Sequence, residues 1–347
     1  MTFHADVFIP ERDSFAESPA SGLRRVFDDE CLVRVSPFHG GAARDVRIRH
    51  ALYGAAGAPV VVVQGGISAN RYAGADGGNA GWWEDVVGPD CAIDTRRFRV
   101  LSIEWLDRAD LDAAAPATDA CRAIGSEDQA DAIAALLAEL GIRQVHAFVG
   151  ASYGAMVGLA FAARHPGRVR RLVAIAGAHR AHPLAVAVRN LQREIVRLAA
   201  RHGDVDAGLD LARRLAMTTY RGEREFAERC SAAPTYRDGR YRFAEEDWLG
   251  AAGASFVRRF SAERFVALSE SIDLHNIAPE VVRVPATLIG IASDRLVPLA
   301  DLCELQRRCG APAALNVIDS RYGHDAFLKE AGQIGPLIAE ALDGRGA

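Results

Sequence analysis

The chain has 347 residues and a formal net charge of −4; half of it is hydrophobic, a quarter charged and 7% aromatic. That balance excludes disordered, collagenous and coiled-coil chains, and leaves enough apolar material for one large domain carrying an insertion, or for two domains. There is no basic block, so nucleic acid is not expected as a partner, and no apolar run approaches the ~20 residues of a membrane-spanning helix, so no membrane partner is expected either. Met1 to Ser21 carries Asp6, Glu11, Arg12, Asp13 and Glu17 where a secretory signal would be basic and then apolar. This points to the cytoplasm. Cys31, Cys91, Cys121, Cys230, Cys303 and Cys309 form no Cys-x-x-Cys pair and have no histidine at zinc-ligand spacing. They read as buried free thiols, with no metal expected.

In chain order, Val46 to Tyr53 alternates like a half-exposed strand, and Pro59 to Val63 is a β-branched run suited to a strand covered on both faces. Phe98 to Ile103 is another strand. Glu127 to Leu140 has helical periodicity and stops at Gly141. Val145 to Gly150 is a strand, Tyr153 to Arg164 a helix, and Leu172 to Ala176 the next strand. Pro183 to Ala200 and Val205 to Met217 read as helices; strands return at Ala286 to Ile291 and Ala314 to Ile318. Strands alternating with helices imply an α/β fold with a mostly parallel sheet flanked by helices. The expected organisation is an α/β core of residues 1–180 and 276–347, with 181–275 inserted as a helical lid over the sheet, where substrate pockets are commonly built.

Gly150-Ala151-Ser152-Tyr153-Gly154 has the form Gly-x-Ser-x-Gly between a predicted strand and a predicted helix. In that context the serine sits on a strained turn with its hydroxyl exposed, and a Cβ two residues to either side would clash. A serine hydroxyl is a poor nucleophile without a base, and the base needs an orienting carboxylate. In this architecture they follow in the order Ser, Asp or Glu, His. Asp294 follows the strand ending at Ile291, and His324 follows the last strand, so Ser152, Asp294 and His324 form the expected triad. An oxyanion hole needs two backbone N–H groups. One is expected from Tyr153, the other from Ile67 or Gly66 in the glycine-bearing loop after Val63.

Several blocks together resemble the homoserine O-acyltransferases of the α/β-hydrolase superfamily. They include Gly81-Trp82-Trp83, Val87-Gly88-Pro89, Ile93-Asp94-Thr95, the elbow, and Ser126 to Leu140. They continue with Ala212-Arg213, Thr219-Tyr220-Arg221, Arg259-Phe260 through Ser269 and Asp273, Ser293-Asp294-Arg295, and Tyr322 to Leu328. The resemblance spans residues 58 to 335. It implies an α/β-hydrolase fold with a lid, and acyl transfer from acyl-CoA, a co-substrate, to L-homoserine. It implies no cofactor and a homodimer formed through the lid. It also implies that Arg213 grips the homoserine carboxylate, that Tyr220 helps hold the substrate, and that Asp325 accepts its ammonium group, with Arg221 a further candidate.

The chain departs from the family pattern around the acyl pocket. The elbow continues Ser152-Tyr153-Gly154-Ala155-Met156, Glu104-Trp105-Leu106-Asp107 follows the third strand, and the oxyanion loop lacks Leu-Thr-Gly. The family contains acetyl and succinyl users, and these departures are from the acetyl type. Succinyl-CoA is therefore the expected donor and acetyl-CoA the alternative. A succinyl carboxylate needs a cation, for which Arg71 past the oxyanion loop is the candidate. Serine as acceptor, an esterase using water, and a catalytically silent scaffold are the competing readings.

Overall fold

The computed structural model describes residues 25–75, 80–113 and 121–345; the segment 1–21, read above for a signal, lies outside the described residues. The chain begins with β1 (Arg25–Val35), β2 (Arg44–Tyr53) and β3 (Val60–Gln64), then two short strands, β4 (Val87–Gly88) and β5 (Ile93–Asp94). There follow β6 (Arg99–Ile103), α1 (Arg108–Asp112), α2 (Ser126–Glu139), β7 (Ala147–Ala151), α3 (Tyr153–Arg164) and β8 (Leu172–Ile175). One eight-stranded sheet joins β1, β2, β6, β3, β7 and β8 to β11 (Ala286–Ile291) and β12 (Ala313–Ile318), in that spatial order. Pairings from β6 to β12 are parallel, and β1 and β2 are antiparallel.

Every residue of β3, β7, β8 and β11 is buried, because helices cover both faces of the sheet. Val62 and Phe148 pack towards α2 and α3, through Leu136 and Phe161. Val61 and Val149 pack on the opposite face towards Ile334 and Ile338 of α11 (Ala331–Leu342). The alternation in β2 holds from Arg44 to Arg49 and gives way to continuous burial from His50 to Tyr53, where β6 pairs with it. The sequence reading omitted β1, whose Asp28-Asp29-Glu30 run interrupts any apolar pattern; charge of this kind suits an edge strand.

Between β8 and β11 the chain forms α4 (Pro183–Arg201), α5 (Val205–Tyr220), α6 (Glu223–Arg229), the hairpin β9 (Thr235–Arg237) and β10 (Arg240–Arg242), α7 (Ala244–Val257) and α8 (Ala262–Leu274). This segment has a small core of its own, with Val196, Leu209, Ala212, Phe256 and Phe265 buried together. Only α4 and α5 were legible in the sequence. The hairpin is exposed, so it carries no buried-strand pattern. After β11 come α9 (Leu299–Arg308), β12, a tight turn at Gly323–Asp325, α10 (Ala326–Lys329) and α11. All six cysteines are free thiols, but only Cys121 is buried and Cys303 is exposed, correcting the expectation of buried thiols. Among the described residues no helix is long and apolar enough to cross a membrane.

Candidate active site

Ser152 stands between the end of β7 and the start of α3 with φ 56° and ψ −118°, in the left-handed region that a residue with a side chain rarely adopts. Its surroundings hold it there. Its amide donates to the Ile175 carbonyl at 2.8 Å, and the Gly154 amide donates to the Gly65 carbonyl at 2.9 Å. A Cβ on Gly150 would fall 2.1 Å from the Gly154 oxygen, and one on Gly154 would fall 2.2 Å from the Gln64 oxygen. Neither glycine position has room for a methyl group, as the motif requires.

The turn delivers the hydroxyl to a relay. Ser152 Oγ lies 2.8 Å from His324 Nε2, and His324 Nδ1 lies 2.6 Å from Asp294 Oδ2. The other Asp294 oxygen accepts from the amides of Leu296 at 2.8 Å and Val297 at 3.0 Å, which fixes the carboxylate. Burial disfavours a charged His324 ring. The Asp294 carboxylate, by charge and hydrogen bond, and Asp325 outweigh burial and hold its pKa above the ordinary histidine value, with Arg189 opposing them.

Tyr153 opens α3, so its amide is one of the helix's unpaired N-terminal donors. Gly66 stands against Ser152: a Cβ added to it would lie 4.0 Å from that of the serine. The loop bearing Gly66 and Ile67 is closed by the Ala69 amide on the Gly66 carbonyl at 3.0 Å, and Trp105 Nε1 donates to the same carbonyl at 2.9 Å. The Trp105 ring packs edge-on against Tyr153 at 4.9 Å. Gln64 Oε1 accepts from Ile103 N at 2.9 Å and Ser102 Oγ at 3.0 Å, tying the loop's root to β6. Sequence reasoning missed Trp105 and Gln64 as supports of this loop.

The space above Ser152 is small, about 30 Å³, with room for little more than a water, so side chains around it must shift before a substrate enters. Its walls include Ser152, Met156, His182, Arg189, Tyr220 and His324. Tyr220 packs 5.8 Å from the His324 ring. Arg213 and Asp325 are buried and are not among these walls. The Arg213 guanidinium lies 5.3 Å over the Tyr220 ring and 4.9 Å over Phe256, and the seven-residue spacing does bring Arg213 and Tyr220 together. Asp325 Oδ2 is 2.9 Å from Arg221 Nε, close enough for an ion pair although the N–H is not aimed at the oxygen. Burial pushes the Asp325 carboxyl up, and Arg221, Arg213 and His324 draw it partly back.

Arg71 is elsewhere. It pairs with Glu104 at 3.3 Å and lines an outer cleft of about 520 Å³ together with Arg49, Arg259 and Arg264. This cleft shares Ser68, Ala69 and Asn70 with a smaller pocket that reaches Gly66. Arg189, which does wall the inner cavity, was not singled out in the sequence. In a chain so rich in arginine, nothing local distinguishes it.

Residues 59–331 match the alpha/beta hydrolase fold family. The chain is 46% identical to a homoserine O-succinyltransferase of Xanthomonas campestris pv. campestris, over 97% of this chain and 88% of the relative. It is 31% identical to a serine O-succinyltransferase of Xylella fastidiosa, over 89% of this chain and 95% of that protein. The solved structure of a homoserine O-acetyltransferase from Bacillus anthracis superposes with a TM-score of 0.80, covering 92% of this chain and 98% of that one at 20% identity. At that identity the superposition speaks to the fold alone.

Proposed function

Because the chain belongs to the homoserine O-acyltransferase family of the α/β hydrolases, we propose that it transfers a succinyl group from succinyl-CoA to the hydroxyl of L-homoserine, acting in the cytosol. The observation that carries this reading is the 46% identity to a homoserine O-succinyltransferase along nearly the whole chain. The relatives named for homoserine and for serine differ in acceptor and share the succinyl donor, so the donor assignment is common to both. The arginine-lined outer cleft contains one acid, Glu104, and suits the phosphates of CoA, with Arg71 serving there.

The chemistry is a double displacement. As Ser152 Oγ attacks the thioester carbonyl, His324 takes its proton, with Asp294 holding the ring in the required tautomer. The tetrahedral oxyanion is met by the Tyr153 amide and by that of Ile67 or Gly66. CoA leaves with the proton from His324, and an ester on Ser152 remains. The homoserine hydroxyl then gives its proton to His324 while its oxygen attacks that ester, and the proton returns to Ser152.

His324 acts only when neutral, and its pKa lies above the ordinary value of about 6.5. Its protonation on acidification removes the base, so kcat/KM is expected to fall on the acid side with a midpoint above that value. A pH–rate profile checks this, and a midpoint below an ordinary histidine would contradict it.

For the acceptor, Arg213 with Tyr220 holds the carboxylate, and Asp325 takes the ammonium. Arg213→Ala is expected to raise the homoserine KM by on the order of 2–3 kcal/mol in binding terms, while Ser152 is still acylated at the wild-type rate. Separate measurement of the two half-reactions checks this; equal slowing of both would make Arg213 structural.

Pairing of two copies through the inserted helices is supported by Leu184, Leu191 and Leu198, which recur every seventh residue along α4 and are 62%, 58% and 51% exposed. The reading as a whole is tested by crossing succinyl-CoA and acetyl-CoA with homoserine, serine and no acceptor in a CoA-release assay. The highest kcat/KM is expected for succinyl-CoA with homoserine. CoA release that is independent of any acceptor would instead favour a hydrolase.

A further inference from the structure

Two buried guanidiniums on α4 share one carboxylate. Arg189 Nε and Arg193 Nη1 each lie 2.6 Å from Asp273, on opposite oxygens, and Arg193 Nη1 also donates to Ser269 Oγ at 3.0 Å. Arg189 and Arg193 are each 7% exposed. The cluster therefore holds more positive charge than Asp273 neutralises, in a setting where an uncompensated charge is costly. Arg189 Nη2 is buried and has no hydrogen-bond partner. Arg189 alone of the two walls the cavity above Ser152, where it is close enough to His324 to oppose its protonation. A buried guanidinium that belongs to a cavity wall, is engaged by one carboxylate through Nε and keeps a donor without a partner is the arrangement that takes a second carboxylate.

We propose that Arg189 reads a substrate carboxylate inside the cavity, and that this carboxylate is the terminal one of the succinyl group, so that Arg189 sets the preference for a dicarboxylic acyl donor. The inference rests on the succinyl-transferase reading above. A succinyl ester on Ser152 carries its carboxylate two methylenes beyond the acyl carbon, and Arg189 is one of the side chains around Ser152 that would border it once the walls of the 30 Å³ cavity shift to admit it. Arg71, the candidate from sequence, is paired with Glu104 in the outer cleft.

In a double displacement, kcat/KM for the donor reports acylation alone, so the full-length enzyme can be assayed with succinyl-CoA and acetyl-CoA against homoserine. Arg189→Gln is expected to lower the succinyl-to-acetyl ratio of kcat/KM at least tenfold, the scale of one charge-assisted contact, because any effect of the lost charge on His324 is common to both donors and cancels in the ratio. Arg189→Lys keeps a charge against Asp273 without the fork, and is expected to lower the succinyl-to-acetyl ratio less. Arg193→Gln removes the matching contact on the other side of Asp273 and is expected to leave the ratio unchanged. An unchanged ratio in both Arg189 variants would overturn the proposal. So would a loss confined to kcat/KM for homoserine, which would make the carboxylate read there the acceptor's. If the wild type fails to use succinyl-CoA at all, the functional reading fails, and this inference with it.

Discussion

Ser152→Ala is expected to lower acyl transfer by at least ~10⁴-fold while leaving the fold intact. The substitution removes one oxygen, the atom that lies 2.8 Å from His324 Nε2. The turn itself is held by other means: the Ser152 amide on Ile175, the Gly154 amide on Gly65, and the lack of space at Gly150 and Gly154. Alanine meets the same backbone strain as serine at φ 56°, so the far-ultraviolet circular dichroism and the thermal midpoint should stay close to wild type. Activity measured with both substrates at saturation checks the rate, and a melting curve checks the fold. A variant that retains a tenth of the activity would remove Ser152 from the chemistry.

His324→Ala is expected to be comparably severe, and the double variant with Ser152→Ala no worse than either single one. The two groups pass one proton between them and act as a unit, so their losses do not add. Stability should suffer more here than at Ser152. The nearly buried Asp294 loses its 2.6 Å partner and keeps only the Leu296 and Val297 amides, which costs about 1–3 kcal/mol. Multiplicative losses in the double variant would show two independent roles and contradict a shared one.

The sheet was legible because its central strands are short, almost wholly apolar runs rich in β-branched residues and buried on both faces, a pattern that few other contexts produce. The elbow was legible because two glycines are required at fixed offsets, and the close approaches at Gly150 and Gly154 are the reason. The relay was legible from chain order, since Asp294 and His324 each follow a strand. Other parts leave no local trace. β1 is an edge strand with an acidic interruption. Trp105 supports the Gly66 carbonyl, but it is separated from it by 39 residues, and only the fold brings them together. Arg189 and Arg71 look alike as text. Burial against Asp273 puts one at the cavity wall, while Glu104 holds the other in the outer cleft. Arg213 and Asp325 could be matched by position, but their placement behind Tyr220 and against Arg221 depends on how α5 meets the turn at Gly323–Asp325.

The most direct test of the account is the covalent state of the enzyme given succinyl-CoA with homoserine withheld. Mass spectrometry of the digested protein is expected to show a succinyl adduct on the peptide bearing Ser152, and homoserine added afterwards is expected to discharge it as O-succinylhomoserine. A succinyl group found on one of the cysteines, or product formed at full rate with no adduct at any time, would contradict the account.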